Sequence, residues 1–255
     1  MIGVMLVMIA GGIGLAQAAS DPKQVTLRWL RLGGIIAVTL TAVAAVILQM
    51  TDAKDFSKAF WGMLALVGCA FVVQLMTVQL AKRNAQRVAA ALGYLLACVT
   101  VIVALYPQVR QFSGQVDLFL AVPVAVGLVG GFVMTMLFGH AYLTAQTELT
   151  QTPFKRLVIM LAGLLLLRAT ISLGFGLYPF ITSDEQTATM WDTVMLTARY
   201  LAGIAIPIVF TYMIYDCVKR RANQSATGII YVTAVLVMIG EGIVLGLIGT
   251  NGRVF

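Results

Sequence analysis

Residues 118–143, LFLAVPVAVGLVGGFVMTMLFGHAYL, contain no Asp, Glu, Lys or Arg, and this stretch decides the fold of the chain. A bilayer core about 30 Å thick is crossed by about 20 apolar residues in an α-helix, because each residue adds about 1.5 Å. The stretch is long enough for that crossing. It therefore predicts a transmembrane helix that carries the chain's one histidine, His140.

Seven further stretches have the same apolar character. The eight predicted spans lie near 2–19, 32–50, 59–80, 88–106, 118–143, 157–180, 191–215 and 227–249. The predicted fold class is all-α: a polytopic transmembrane helix bundle of about eight spans, forming a single integral-membrane domain over residues 1–255.

The composition of the 255-residue chain excludes several classes of protein. It is 60% hydrophobic and 11% charged, whereas soluble proteins carry roughly 25% charged residues. A cytosolic enzyme, a disordered tail and a disulfide-stapled secreted domain are excluded. The connections between spans are too short for a soluble domain, so we expect no catalysis by this chain on its own.

The basic residues predict the orientation. Eleven Lys and Arg residues follow spans 1, 3, 5 and 7, and four lie in the other connections. Positive charge is retained in the cytoplasm, so both termini are predicted on the non-cytoplasmic side of a bacterial-type inner (cytoplasmic) membrane. The net charge of +7 is thus a topology signal, and we expect lipid headgroups and no nucleic acid as its partners.

Residues 15–20, LAQAAS, look like a signal-peptidase site. The residues before them contain no Lys or Arg, unlike the amino-terminal region of a signal peptide. Lys23, Arg28 and Arg31 also favour a cytoplasmic position after the first span. We therefore expect this span to be retained.

Other patterns predict helix packing and helix ends. Trp29, Trp61 and Trp191 fall at span ends and are typical of an aromatic belt. Pro123 and Pro207 lie inside spans and predict kinks or breaks. Small residues spaced by four predict close helix contacts at Gly127/Gly131, Ala198/Ala202 and Gly242/Gly246.

The three cysteines, Cys69, Cys98 and Cys217, form no CxxC pair. Their scatter excludes a c-type haem, a zinc site and an iron–sulfur cluster, and no metal site is predicted. Nucleotide-binding and hydrolase motifs are also missing from the sequence.

Three charged residues lie inside predicted spans, namely Arg168, Arg199 and Glu241. Their depths place all three in one layer of the outer half of the bundle. Each costs at least about 2.5–3.5 kcal/mol at a helix centre, so burial against a partner is required. Glu241 can pair bidentately with one arginine, and Asp192 is the candidate partner for the other.

This set has two interpretations. The remaining guanidinium binds an anionic or carbonyl group: a quinone oxygen, a haem propionate, a lipid phosphate or a transported anion. Alternatively, the three residues are an Arg–Glu staple that fixes helix register.

His140 lies at the predicted cytoplasmic end of span 5, with Tyr142 nearby, roughly 20 Å from the charged layer. With one histidine, the chain cannot supply a bis-His haem. The compatible cofactors are a quinone, hydrogen-bonded to His140, and a b-type haem with other ligation. A packing histidine is the alternative.

The predicted function is a non-catalytic integral-membrane subunit or anchor of a larger assembly, handling electrons through a quinone or a haem. His140, Tyr142, Arg168, Arg199 and Glu241 are its candidate cofactor-binding residues. Other membrane or extrinsic subunits are its expected partners. The alternative is a small secondary transporter or channel that uses the buried Arg/Glu cluster.

Overall fold

The computed structural model describes residues 1–52, 56–109, 112–144, 150–177 and 190–251. It is all-helical, with 91% helix, and eight of its helices are long and apolar enough to span a membrane. The predicted all-α class and the span count are confirmed. The chain has the architecture of a multi-pass membrane protein.

We number the described helices α1 to α9. They are α1 (Ile2–Ala19), α2 (Leu27–Asp52), α3 (Lys58–Gln79), α4 (Arg83–Leu105), α5 (Phe112–Thr144), α6 (Thr152–Ile171), α7 (Met190–Tyr200), α8 (Ile206–Lys219) and α9 (Asn223–Asn251). A 3₁₀ turn, Tyr106–Gln108, follows α4. A π-helical segment, Ser172–Leu177, extends α6, and a second, Leu201–Ala205, joins α7 and α8 into the seventh span.

Several helices begin earlier than the sequence predicts. Helix α2 starts at Leu27 and includes Arg28 and Arg31, while α4 starts at Arg83. Lys and Arg are good helix formers, so a helix continues through them beyond the apolar stretch. Many basic residues assigned to connections therefore sit on helix ends. We call the end of the bundle that carries them the basic end.

Two hairpins at the basic end close with the same motif. Ala81, after α3, and Arg221, after α8, have φ of 54° and 59°. The next residue in each case, Lys82 or Ala222, returns its N–H to a carbonyl five residues earlier, at 3.0 and 2.9 Å. This Schellman motif satisfies carbonyls that the helix end leaves without a partner.

Helices α1 and α5 form the centre of the bundle. We compare one apolar stretch of 18 residues in each span. In α5, 78% of that stretch is buried, and in α1 61%, against 28–50% in the other six spans. Helix α1 packs against α2, α4 and α5, while α5 also contacts α6 and α9. Helix α1, which is the predicted first span, is thus part of the core of the bundle.

The contact between α1 and α5 is made by glycine. A methyl group on Gly12 would overlap the backbone oxygen of Val126, and one on Gly130 would overlap that of Ile9. Two other glycines of α5, Gly127 and Gly131, face side chains and not the backbone of another helix. A Cβ on Gly127 or Gly131 would press on leucine side chains of α1 and α6 at 2.7 and 2.9 Å.

The predicted contact at Gly242/Gly246 is wrong. Among the described residues, a Cβ at either position meets no atom within 4 Å, apart from near neighbours in the chain. Spacing shows that two glycines share a helix face, but it does not show whether that face meets another helix.

The two prolines have different outcomes. Helix α5 continues through Pro123, so the predicted break does not occur there. The Tyr94 hydroxyl of α4 donates to the carbonyl of Pro123 at 2.9 Å. Pro207 lies at the start of α8, directly after the second π-helical segment, where the α-helix is interrupted.

The aromatic-belt assignment of Trp29 is wrong. This side chain is 3% exposed, and its indole Nε1 donates to the carbonyl of Met134 on α5 at 3.2 Å. Helix α2 begins before Trp29, so the residue lies within the helix and faces the core. Trp191, by contrast, is 67% exposed.

We predict that Gly130→Ala destabilises the protein by about 1–3 kcal/mol, because the added methyl forces α1 and α5 apart. The matched control is Gly163→Ala on α6, where a Cβ meets nothing within 4 Å. Thermal unfolding of both variants in detergent measures the difference. Equal melting temperatures would contradict the α1–α5 contact.

Candidate functional site

Four charged side chains from four helices are buried in the same part of the bundle. Asp117 (α5) and Arg199 (α7) are 0% exposed, Arg168 (α6) is 1% exposed and Glu241 (α9) is 2% exposed. We call these four residues the charged cluster. Each lies far along its helix from the basic end, so the cluster is in the opposite half of the bundle.

Glu241 joins the two arginines. Its carboxylate accepts two hydrogen bonds from Arg168: Nε to Oε1 at 3.0 Å and Nη2 to Oε2 at 3.1 Å. It accepts a third from Nη2 of Arg199 to Oε1, at 3.0 Å. The pair with Arg168 is the bidentate fork that a guanidinium and a carboxylate form best.

A glycine contact brings Arg199 and Glu241 together. A Cβ on Gly203 would lie 2.7 Å from the Cα of Gly240 and 2.8 Å from Nη1 of Arg199. The seventh span and α9 thus approach at backbone distance beside the ion pair. Any larger side chain at Gly203 or Gly240 would displace one of these charged groups.

Both arginines precede irregular helix. The segment Ser172–Leu177 begins four residues after Arg168, and the segment Leu201–Ala205 begins two residues after Arg199. Between them, the hydroxyl of Tyr200 donates to the carbonyl of Ser172 at 2.9 Å. Single π-helical turns inside transmembrane helices are common at functional sites.

Asp117 is the residue that sequence reasoning missed. It stands one position before the predicted start of span 5, whereas α5 begins at Phe112. Its carboxylate interacts electrostatically with Arg168, Arg199 and Glu241. Asp117 is therefore the second acid of the cluster, while Glu241 itself accepts from Arg199, the pairing that was predicted for Asp192. The formal charges are two positive and two negative.

The cluster retains hydrogen-bonding capacity. Within the described part of the chain, neither carboxylate oxygen of Asp117 has a hydrogen-bond partner, nor do Nε and Nη1 of Arg199. Buried polar groups are normally hydrogen-bonded, so four such atoms in one cluster require an explanation. A guanidinium edge binds an oxyanion, and a carboxylate accepts from an ammonium or hydroxyl group.

The other two predicted site residues lie at the opposite end of the bundle. His140 and Asp117 are both on α5 and stand about 35 Å apart along it. His140 is exposed, and the hydroxyl of Tyr142 donates to the carbonyl of Thr150. The structure brings Arg168, Arg199 and Glu241 together and leaves His140 and Tyr142 in a separate place.

An aromatic cluster centred on the buried Phe138 lies at the same end of α5. The ring of Phe138 lies 4.9 Å from Trp29, 5.1 Å from Tyr142 and 6.0 Å from Phe154, measured between centroids. No group of three His, Cys, Asp or Glu side chains suited to a metal ion occurs among the described residues.

A second polar contact is buried among α1, α2 and α3. The Gln74 amide donates to Oε1 of Gln17 at 2.6 Å, and the Gln17 amide donates to the carbonyl of Leu30 at 2.9 Å. Both glutamines are 0% exposed. These two hydrogen bonds connect α1 to α2 and to α3.

Comparison of the chain with protein-family models, curated proteins and solved structures finds no match.

We predict that Glu241→Ala destabilises the protein by about 3–5 kcal/mol, because it leaves two buried guanidinium groups without their carboxylate. Replacing the whole cluster with apolar side chains (Arg168→Met, Arg199→Met, Glu241→Met and Asp117→Leu) should restore stability, since no buried charge remains. Thermal unfolding in detergent distinguishes the two. A single variant as stable as the native chain would contradict the buried pairing.

Proposed function

We propose that this chain is a small secondary transporter and that the charged cluster is the site where it binds its solute. The observation that carries the proposal is a group of buried atoms that have no hydrogen-bond partner in the part of the chain that the structure describes, namely Nε and Nη1 of Arg199 and both oxygens of Asp117. Ionisable residues inside transmembrane helices mark substrate and ion pathways.

The chemistry of these atoms defines the solute class. The Nε and Nη1 groups of Arg199, which have no hydrogen-bond partner among the described residues, can each donate to an oxygen of a carboxylate or another small oxyanion. Asp117 recognises a group that donates hydrogen bonds, such as an ammonium or a hydroxyl. A small amino acid or hydroxy acid carries both groups on adjacent carbons. Glu241, already accepting from both arginines, holds the guanidinium groups in position.

The backbone around the cluster supports transport more than a purely structural staple. A staple needs only the three hydrogen bonds of Glu241. It does not need π-helical segments after both arginines or a buried Asp117 with unused oxygens. Interrupted helices at a charged site near the middle of the membrane are typical of secondary transporters.

The proposal includes an orientation. Positive charge at the basic end places that end in the cytoplasm of a bacterial-type inner membrane, with both termini outside. The charged cluster then lies in the outer half of the bilayer.

A second candidate is the membrane subunit of an electron-transfer complex, with extrinsic or membrane protein partners. The observation that favours it is the exposed His140 at the basic end of α5, an imidazole that can hydrogen-bond to a quinone head group. A quinone or a b-type haem that co-purifies with the native chain and is lost from His140→Ala would support it.

We predict that proteoliposomes containing the native chain accumulate radiolabelled lactate or alanine, and that Asp117→Asn lowers the uptake at least about tenfold. The loss corresponds to one hydrogen bond to a charged group. Asp216→Asn and His140→Gln are the controls, because Asp216 pairs with Arg220 at the basic end and His140 is about 35 Å from Asp117 along α5.

Both controls should transport at the native rate. Uptake no greater than in protein-free liposomes, or equal losses in Asp117→Asn and Asp216→Asn, would overturn the proposal. Melting temperatures of all variants separate loss of transport from loss of fold.

A further inference from the structure

An apolar groove runs along the outside of the bundle between α6 and α8. Its volume is about 330 Å³, and it opens outward past Ile159, Leu166 and Tyr212, which are 55%, 58% and 74% exposed. Its walls are aliphatic and aromatic, and the side chains that shape it include Ile159, Ala162 and Leu166 on α6, and Ile208, Tyr212 and Tyr215 on α8.

The length of the groove suits a segment of a lipid acyl chain. It extends from Val158 to Leu166, about 12 Å along α6. One leaflet of hydrocarbon is about 15 Å thick. The length of the groove plus one further helical turn is close to that thickness.

Each wall of the groove ends in a lysine at the basic end. Lys155 precedes Ile159 by four residues on α6, and Lys219 follows Tyr215 by four residues on α8. Residues four apart lie on the same helix face, so each lysine continues the stripe that lines the groove. An apolar slot therefore leads to two cationic side chains from two helices.

Among the described residues of α6 and α8, the acid closest in sequence to either lysine is Asp216. It pairs with Arg220, Oδ2 to Nε at 2.9 Å. Arg156 and Arg221 add further positive charge at the same end.

We infer that the groove binds one acyl chain of a phospholipid with an anionic headgroup, whose phosphate lies between Lys155 and Lys219. The apolar walls account for the chain, and the two ammonium groups account for the preference for a negative headgroup. Basic pockets between transmembrane helices bind anionic lipids in this way.

The test is native mass spectrometry of the full chain in detergent with added phosphatidylglycerol or phosphatidylcholine of identical acyl chains. We expect the native chain to bind phosphatidylglycerol roughly 30-fold more tightly, since each lysine near the headgroup is worth about a factor of five. The variant Lys155→Gln/Lys219→Gln should lose that preference and keep weak binding of both lipids.

Two further variants make the outcome decisive. Lys82→Gln/Arg83→Gln removes the same charge from the same end of the bundle, between α3 and α4, and should bind as the native chain does. Ala162→Trp fills the open groove and should abolish binding of both lipids without lowering the melting temperature.

Equal affinity of the native chain for the two lipids, or an equal loss of preference in the two double variants, would overturn the inference. So would undiminished lipid binding by Ala162→Trp. A groove occupied by a second copy of the chain would appear as a dimer that Ala162→Trp dissociates, and this too would contradict it.

Discussion

The carboxylate of Glu241 is the point on which this structure depends. It holds two arginines that come from different helices and are almost completely buried. An isolated charge in hydrocarbon costs several kcal/mol, so none of these side chains can turn outward. The contact between Gly203 and Gly240 follows from the same constraint, because bulkier residues there would separate Arg199 from Glu241.

The same cluster connects the fold with the proposed function, because some of its buried polar atoms have no hydrogen-bond partner among the described residues. The three hydrogen bonds of Glu241 fix the positions of α6, α7 and α9, and Asp117 adds α5, which is also packed on α1. Among the described residues, Nε and Nη1 of Arg199 and the carboxylate of Asp117 remain buried without hydrogen-bond partners. A rigid centre with open polar edges is the arrangement that solute recognition requires.

Sequence reasoning found the spans and three of the four charged residues, because long apolar runs and charges inside them are signals that no tertiary contact can alter. It missed Asp117, since span ends are read from composition and the helix extends beyond the apolar run. It also assigned Trp29 to the aromatic belt, because α2 likewise begins before the apolar run. The Gly203–Gly240 contact and the π-helical segments depend on how two helices pack against each other. A single sequence does not contain that information. Gly242 and Gly246 show the opposite case. They have the spacing of a contact motif, but among the described residues no other helix packs against them.

The most direct measurement is a double-mutant cycle on the free energy of unfolding with Asp117→Asn, Arg199→Gln and the double variant. These two side chains come from helices joined by no short connection, so coupling between them arises only if the cluster forms. We predict a coupling free energy of about 1–3 kcal/mol. Additivity within about 0.5 kcal/mol would contradict the four-residue cluster and the solute site built on it.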